Sequence, residues 1–133
     1  MVSTGMTRPG DGAMVLVIDD DRDIRDAAVM LLRSDGYRAV AAENGHEALG
    51  LLRSGAVRPK LIILDLRMPV MDGFAFRAAQ LADPALAPIP VVVLSADGPR
   101  GVAKAAEELH AVAAVAKPVD GNELLRVVEN CAA

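Results

Sequence analysis

Apolar runs that contain no charge recur along this chain at residues 15–18 (VLVI), 61–64 (LIIL), 91–94 (VVVL) and 112–116 (VAAVA). Each has the length of a strand. A strand with one wet face alternates apolar and polar residues. A continuous apolar run suits a strand covered on both faces, the situation in a parallel sheet. A weaker run, 37–42, lies between the first two. The intervening segments carry apolar residues at helical spacing: Ile24, Ala28, Leu31 and Leu32; Ala48, Leu49 and Leu52 after Asn44-Gly45; Phe74, Ala78 and Leu81, stopped by Asp83-Pro84; Val102, Ala105, Ala106 and Leu109; Leu124, Val128 and Cys131. The order βαβαβαβαβα predicts an α/β fold, with a parallel sheet and helices on both faces. Right-handed crossovers leave few topologies.

Composition narrows the function classes. A chain of 133 residues, 53% hydrophobic and 24% charged, is long enough for one domain with a real core. The net charge is −4 without a basic block, which argues against nucleic acid or an anionic membrane as the main partner. Tyr37, Phe74 and Phe76 are the only aromatics, too few for base-stacking platforms. The single Cys131 can form no internal disulfide and has no neighbours at metal-ligand spacing. No apolar run reaches membrane-spanning length. Residues 1–13 lack the apolar core of a signal peptide. They read as a flexible leader before a domain spanning 14–133, in a reducing, cytoplasmic setting.

The polar residues that end the runs carry the chemistry. The first run stops at Asp19-Asp20-Asp21, the next at Asp65, then at Ser95, and the last at Lys117-Pro118. In a parallel sheet these ends lie along one edge, and ligands of open α/β sheets bind outside that edge where the strand order reverses. Clustered carboxylates suit a hard cation such as Mg²⁺, which accepts one or two carboxylates with waters and a phosphate. A carboxylate can also act as nucleophile and form an aspartyl-phosphate. Phosphoryl transfer needs alignment and positive charge on the equatorial oxygens. A lysine can supply charge, and a serine hydroxyl a hydrogen bond. Asp21 reads instead as the N-cap of the first helix, with Asp23 in its first turn. Asp72-Gly73 reads as a turn and helix start. His46 and His110 have no partners at ligand spacing and are expected to face solvent.

VLVIDDD, AENGHEAL, LIILDLRMPVMDG, VVVLSA and AKPVD, in this order over about residues 14–131, resemble the receiver domain of two-component response regulators of the chemotaxis type. The resemblance implies a flavodoxin-like (βα)5 fold, a doubly wound five-stranded parallel sheet in a three-layer α/β/α arrangement. It implies Asp65 as phosphoacceptor, Ser95 as switch hydroxyl and Lys117 as the phosphoryl contact. It implies Mg²⁺ bound by Asp20, by Asp65, by the backbone carbonyl of Arg67 and, through water, by Asp19. A cis peptide is expected before Pro118. Arg67 and Asp97, two residues past the acceptor and the switch hydroxyl, are expected to rim the site, to pair across it and to tune the phosphoryl lifetime.

Two positions depart from the family pattern. Ala114 stands where an aromatic commonly swings inward on activation. His110 stands where a glycine commonly ends the fourth helix, so a different local turn is expected. The expected donor is a histidine kinase or a histidine phosphotransfer protein. The chain ends soon after the last helix, so a stand-alone receiver is expected to signal by protein contact through about residues 99–131, as a monomer or a phosphorylation-dependent dimer. Such a domain is no enzyme beyond its own phosphotransfer and autodephosphorylation. The alternatives are a receiver fragment of a larger regulator or hybrid kinase, a degenerate receiver used only for binding, and a Mg²⁺-dependent phosphohydrolase with an aspartate nucleophile. The last commonly has a second Asp two residues on, where this chain has Arg67.

Overall fold

The computed structural model describes residues 12–132. Strands and helices alternate throughout: β1 (Met14–Ile18), α1 (Arg22–Ser34), β2 (Arg38–Ala42), α2 (Gly45–Ser54), β3 (Leu61–Asp65), α3 (Gly73–Leu81), β4 (Val91–Ser95), α4 (Gly98–Glu108), β5 (Ala113–Ala116) and α5 (Gly121–Cys131). The strands form one parallel sheet in the order β2-β1-β3-β4-β5. This is the flavodoxin-like order. The chain starts in the interior of the sheet, steps outward to β2, then returns past β1 to β3, so the direction of winding reverses between β1 and β3.

The charge-free runs divide between two cores. Successive strand side chains point to opposite faces. Leu16, Ile18, Ile62, Leu64, Val91 and Val93 therefore pack with residues of α2, α3 and α4. Val15, Val17, Leu61, Ile63, Val92 and Leu94 pack with residues of α1 and α5 on the other side. Every position of 15–18, 61–64 and 91–94 is buried, which is why none of them carries a polar side chain. The last run is shorter than its composition suggests. Val112 is 54% exposed and lies outside β5, although its N–H still donates to the Val91 carbonyl at 2.8 Å.

Helix α3 is rolled away from the face its apolar residues predict. Phe74 and Leu81 are 41% and 44% exposed, and Ala78 is exposed too. The buried positions are Gly73, Phe76, Arg77 and Gln80. The cause lies at the first residue. Gly73 sits so close to the end of β3 that a Cβ there would fall 2.6 Å from the Asp65 carbonyl oxygen and 2.8 Å from the Leu66 Cα. With Gly73 against the strand, residues three, four and seven positions later must also face inward.

Arg77 and Gln80 are tolerated inside because their polar atoms are matched. Arg77 donates from Nε to the Leu109 carbonyl at 3.0 Å, from Nη2 to that of His110 at 3.1 Å and from Nη1 to Gln80 Oε1 at 2.8 Å. Gln80 Nε2 donates to the Leu86 and Ile89 carbonyls, each at 3.0 Å. The arginine thus binds backbone at the end of α4, where the helix dipole favours a cation. His110 occupies the left-handed region at φ 53°. The different turn expected from the absence of glycine does not arise, and the Arg77 bond to its carbonyl holds that corner.

Of the expected leader, residues 1–11 lie outside the described residues. Gly12 donates to the Gly36 carbonyl at 2.8 Å, and the Ala13 carbonyl accepts from Arg38 N–H at 2.9 Å. Among the described residues no helix is long and apolar enough to cross a membrane.

Truncating Arg77 to Ala would leave two backbone carbonyls and the Gln80 amide oxygen without this donor. It is expected to cost about 2–3 kcal/mol, read as a lower urea midpoint with an unchanged slope. A loss below about 0.5 kcal/mol would show that water replaces the guanidinium freely.

Candidate functional site

The sheet register brings the polar residues together. Ile18 is level with Leu64, so Asp19 and Asp65 leave the neighbouring strands β1 and β3 side by side. Asp65 is level with Leu94, and Ser95 is level with Ala116. Lys117 follows at once, with its N–H donating to the Ser95 carbonyl at 2.9 Å. The acidic residues therefore sit where the winding reverses, with the hydroxyl and the ammonium on the next two strands.

The floor of the site is an ion cluster. Lys117 Nζ lies 3.0 Å from Asp19 Oδ2 and 3.3 Å from Asp65 Oδ1, and all three side chains are buried or nearly so. Asp20 is exposed and stands beside them. Asp19, Asp20 and Asp65 can each offer one carboxylate oxygen within 4.8 Å of the others. Three carboxylates against one ammonium leave two negative charges uncompensated. Burial, and after it the Asp19 charge, push the Asp65 carboxyl up to about 6, against the opposing pull of Lys117. Burial alone would lower Lys117, but its hydrogen bonds and charge contacts with Asp19 and Asp65 hold it above the ordinary lysine value.

Backbone and flanking groups fix these side chains. Asp19 Oδ1 accepts from the Asp21 N–H at 2.9 Å, and the Asp19 N–H donates to the Ala42 carbonyl at 3.2 Å. The Asp21 side chain accepts from the N–H groups of Asp23 and Ile24, so it caps α1 and stays out of the cluster. Asp72 caps α3 in the same way through Ala75 N–H. The Lys117–Pro118 peptide is cis. Arg25 was not singled out by the sequence. Its Nη1 donates to the Asp19 carbonyl at 2.9 Å and reaches the Asp20 carbonyl at 3.4 Å, bracing the acidic turn. Only its place one turn into α1 could have hinted at this. His46 and His110 are exposed and outside the cluster.

The rim is a second pair. Arg67 Nη2 lies 3.0 Å from Asp97 Oδ2, joining the β3–α3 loop to the β4–α4 loop. The same Oδ2 accepts from Ser95 Oγ at 3.0 Å, and the Asp97 N–H donates back to Ser95 Oγ at 3.1 Å. The Arg67 hydrogen bond, followed by that from Ser95, holds the Asp97 carboxyl below its ordinary value.

The raised Asp65 carboxyl has a definite sign. A carboxyl that binds its proton more tightly when folded penalises the fold once ionised. That penalty is absent below the unfolded value near 3.8 and complete above about 6. In melts without divalent ions, wild type and Asp65→Asn should therefore be similar near pH 3.5. The variant should be more stable by several degrees at pH 7. Parallel curves across this range would show that Asp65 is not strained by its surroundings.

Comparison with known proteins agrees with this geometry. The family described as "Response regulator receiver domain" matches residues 15–129. The transcriptional regulatory protein PdtaR of Mycobacterium tuberculosis is 35% identical over 130 residues, 95% of this chain and 61% of that protein. The chain thus spans about three fifths of that longer relative. Sporulation initiation phosphotransferase F of Bacillus subtilis is 30% identical over 116 residues, 86% of this chain and 90% of its own length. A putative response regulator from Chloroflexus aurantiacus superposes with a TM-score of 0.84 at 28% identity, covering 91% of this chain and 98% of that one. The chain belongs to the response regulator receiver domain family, whose members are phosphoacceptor switches.

Proposed function

We propose that this receiver domain accepts a phosphoryl group on Asp65 from a histidine kinase or a histidine phosphotransfer protein, and that the change alters its contacts with other proteins. The observation that carries this reading is the buried Lys117 ammonium held between Asp19 and Asp65 while two carboxylate charges remain unmatched. The oxygen donors fit a hard divalent cation such as Mg²⁺, held by Asp20, Asp65 and the Arg67 carbonyl, with Asp19 behind them. Such an ion, when bound, supplies positive charge to the phosphoryl oxygens.

In this reading an Asp65 carboxylate oxygen attacks phosphorus. The bond from phosphorus to the donor's imidazole nitrogen breaks, and that nitrogen leaves with its electron pair. Lys117 moves from pairing carboxylates to pairing a phosphoryl oxygen, and Ser95 donates its hydroxyl proton to another. The domain catalyses only its own phosphorylation and dephosphorylation. A phosphohydrolase with an aspartate nucleophile commonly has an acid/base Asp two residues after it. Arg67 stands there, and its guanidinium faces Asp97. The output surface at about residues 99–131, a state that is either a monomer or a phosphorylation-dependent dimer, and a cytoplasmic location belong to the same proposal.

Intact mass after incubation with a small-molecule phosphodonor and Mg²⁺ tests the acceptor. A base-labile phosphoryl adduct is expected on wild type and none on Asp65→Asn; equal labelling of both would remove Asp65 from the role. Millimolar Mg²⁺ is expected to raise the wild-type melting temperature by several degrees through binding to the native state, and an unmoved melt would count against the ion. Substitutions of Arg67 or Asp97 should change the rate of phosphoryl loss and leave the capacity for labelling intact.

A further inference from the structure

Each described helix begins at a residue with a short polar side chain, and α4 uses its own differently. Asp21, Asn44, Asp72 and Asp120 accept hydrogen bonds from the first-turn N–H groups of α1, α2, α3 and α5. Asp97 makes no such bond to α4. Its carboxylate is taken by Ser95 Oγ and Arg67. Pro99 in the first turn has no N–H, so Arg100 N–H is the first-turn donor left for a capping side chain in the usual second or third position. The Asp97 side chain already overlies that turn, since a Cβ on Gly101 would come within 2.8 Å of the Asp97 Cβ. Gly98, the first residue of α4, stands at φ 83°, which glycine can leave for the usual helical region at little steric cost.

A serine hydroxyl has one proton. While Ser95 donates it to Asp97 Oδ2, it cannot donate to a phosphoryl oxygen on Asp65. We propose that Asp97 is a positioning residue that competes for the Ser95 proton: it holds the hydroxyl with the help of Arg67, and on release it caps α4 through Arg100 N–H. This rests on the phosphoacceptor reading given above and adds the competing acceptor. The rim pair then opposes engagement of Ser95, and the free energy of capping α4 partly offsets the loss of the bond between Ser95 and Asp97. Arg67 acts one step further out. It fixes Asp97 in the competing position and has no bond to Ser95 itself.

Binding of beryllofluoride with Mg²⁺, a phosphoryl mimic, measured by calorimetry on the whole chain, tests the competition. Asp97→Ala frees the hydroxyl and is expected to tighten binding about ten- to a hundredfold, the ratio set by one hydrogen bond to a charged group. In a Ser95→Ala background the same substitution should change affinity less than twofold. Asp97→Asn, which keeps an acceptor and removes the charge, should fall between wild type and Asp97→Ala. Equal affinity of wild type and Asp97→Ala overturns the proposal. So does an equal gain with and without Ser95, because that would be a general charge effect on the anion. If wild type binds no beryllofluoride at all, the phosphoacceptor reading fails and takes the competition with it. If wild type binds and only the Asp97 effects are missing, the acceptor reading stands.

Discussion

A lysine ammonium buried between two carboxylates governs much of what surrounds it. Lys117 can reach Asp19 and Asp65 only because β1, β3, β4 and β5 run parallel in a register that brings their ends to one level. Buried charges are costly unless paired and hydrogen-bonded. The cluster accordingly recruits backbone support: Asp21 N–H for Asp19, and Arg25 for the carbonyls of the acidic turn. The match is still incomplete: burial, and after it the Asp19 charge, push the Asp65 carboxyl up to about 6. A site in that condition favours arriving positive charge, and it gives the ammonium reason to exchange one anionic partner for another.

The sheet was legible in the sequence because its strands are covered on both faces. The runs at 15–18, 61–64 and 91–94 had to be apolar at every position, and the polar residue after each run marked the edge. Helix α3 was not legible in the same way. Its apolar residues Phe74, Ala78 and Leu81 suggested an inner face, while the observed face holds Phe76, Arg77 and Gln80. Hydrophobic spacing is a poor guide where one close backbone approach sets the roll of a helix. Gly73 was visible as a turn residue, but the Asp65 carbonyl it abuts belongs to a segment that only the folded chain brings near. Arg25 escaped notice for a related reason: it acts on backbone carbonyls, which leave no mark in a sequence pattern.

The same helix links the end of β3 to the far corner of α4. At one end Gly73 rests on the carbonyl of Asp65. One turn later Arg77 binds the carbonyl of Leu109, the C-cap of α4, and that of His110 at the corner. The contact between α3 and this corner is polar and directional. A fork of fixed geometry resists sliding more than apolar packing does. The left-handed His110, sterically less at ease than glycine, is kept in place from outside its own turn.

The Lys117 ion pairs and the rim pair of the site differ in their access to water, and salt should therefore tell them apart. The Lys117 pairs lie beneath the surface, with side-chain exposures of 15% for the lysine and at most 4% for its partners. Arg67 and Asp97 are 74% and 41% exposed. Dissolved ions screen exposed charges over a Debye length of about 8 Å at physiological strength and reach buried ones far less. Rising ionic strength thus loosens the rim while leaving the floor bound. The medium itself becomes a setting on how firmly the loop after β3 is tied to the loop after β4.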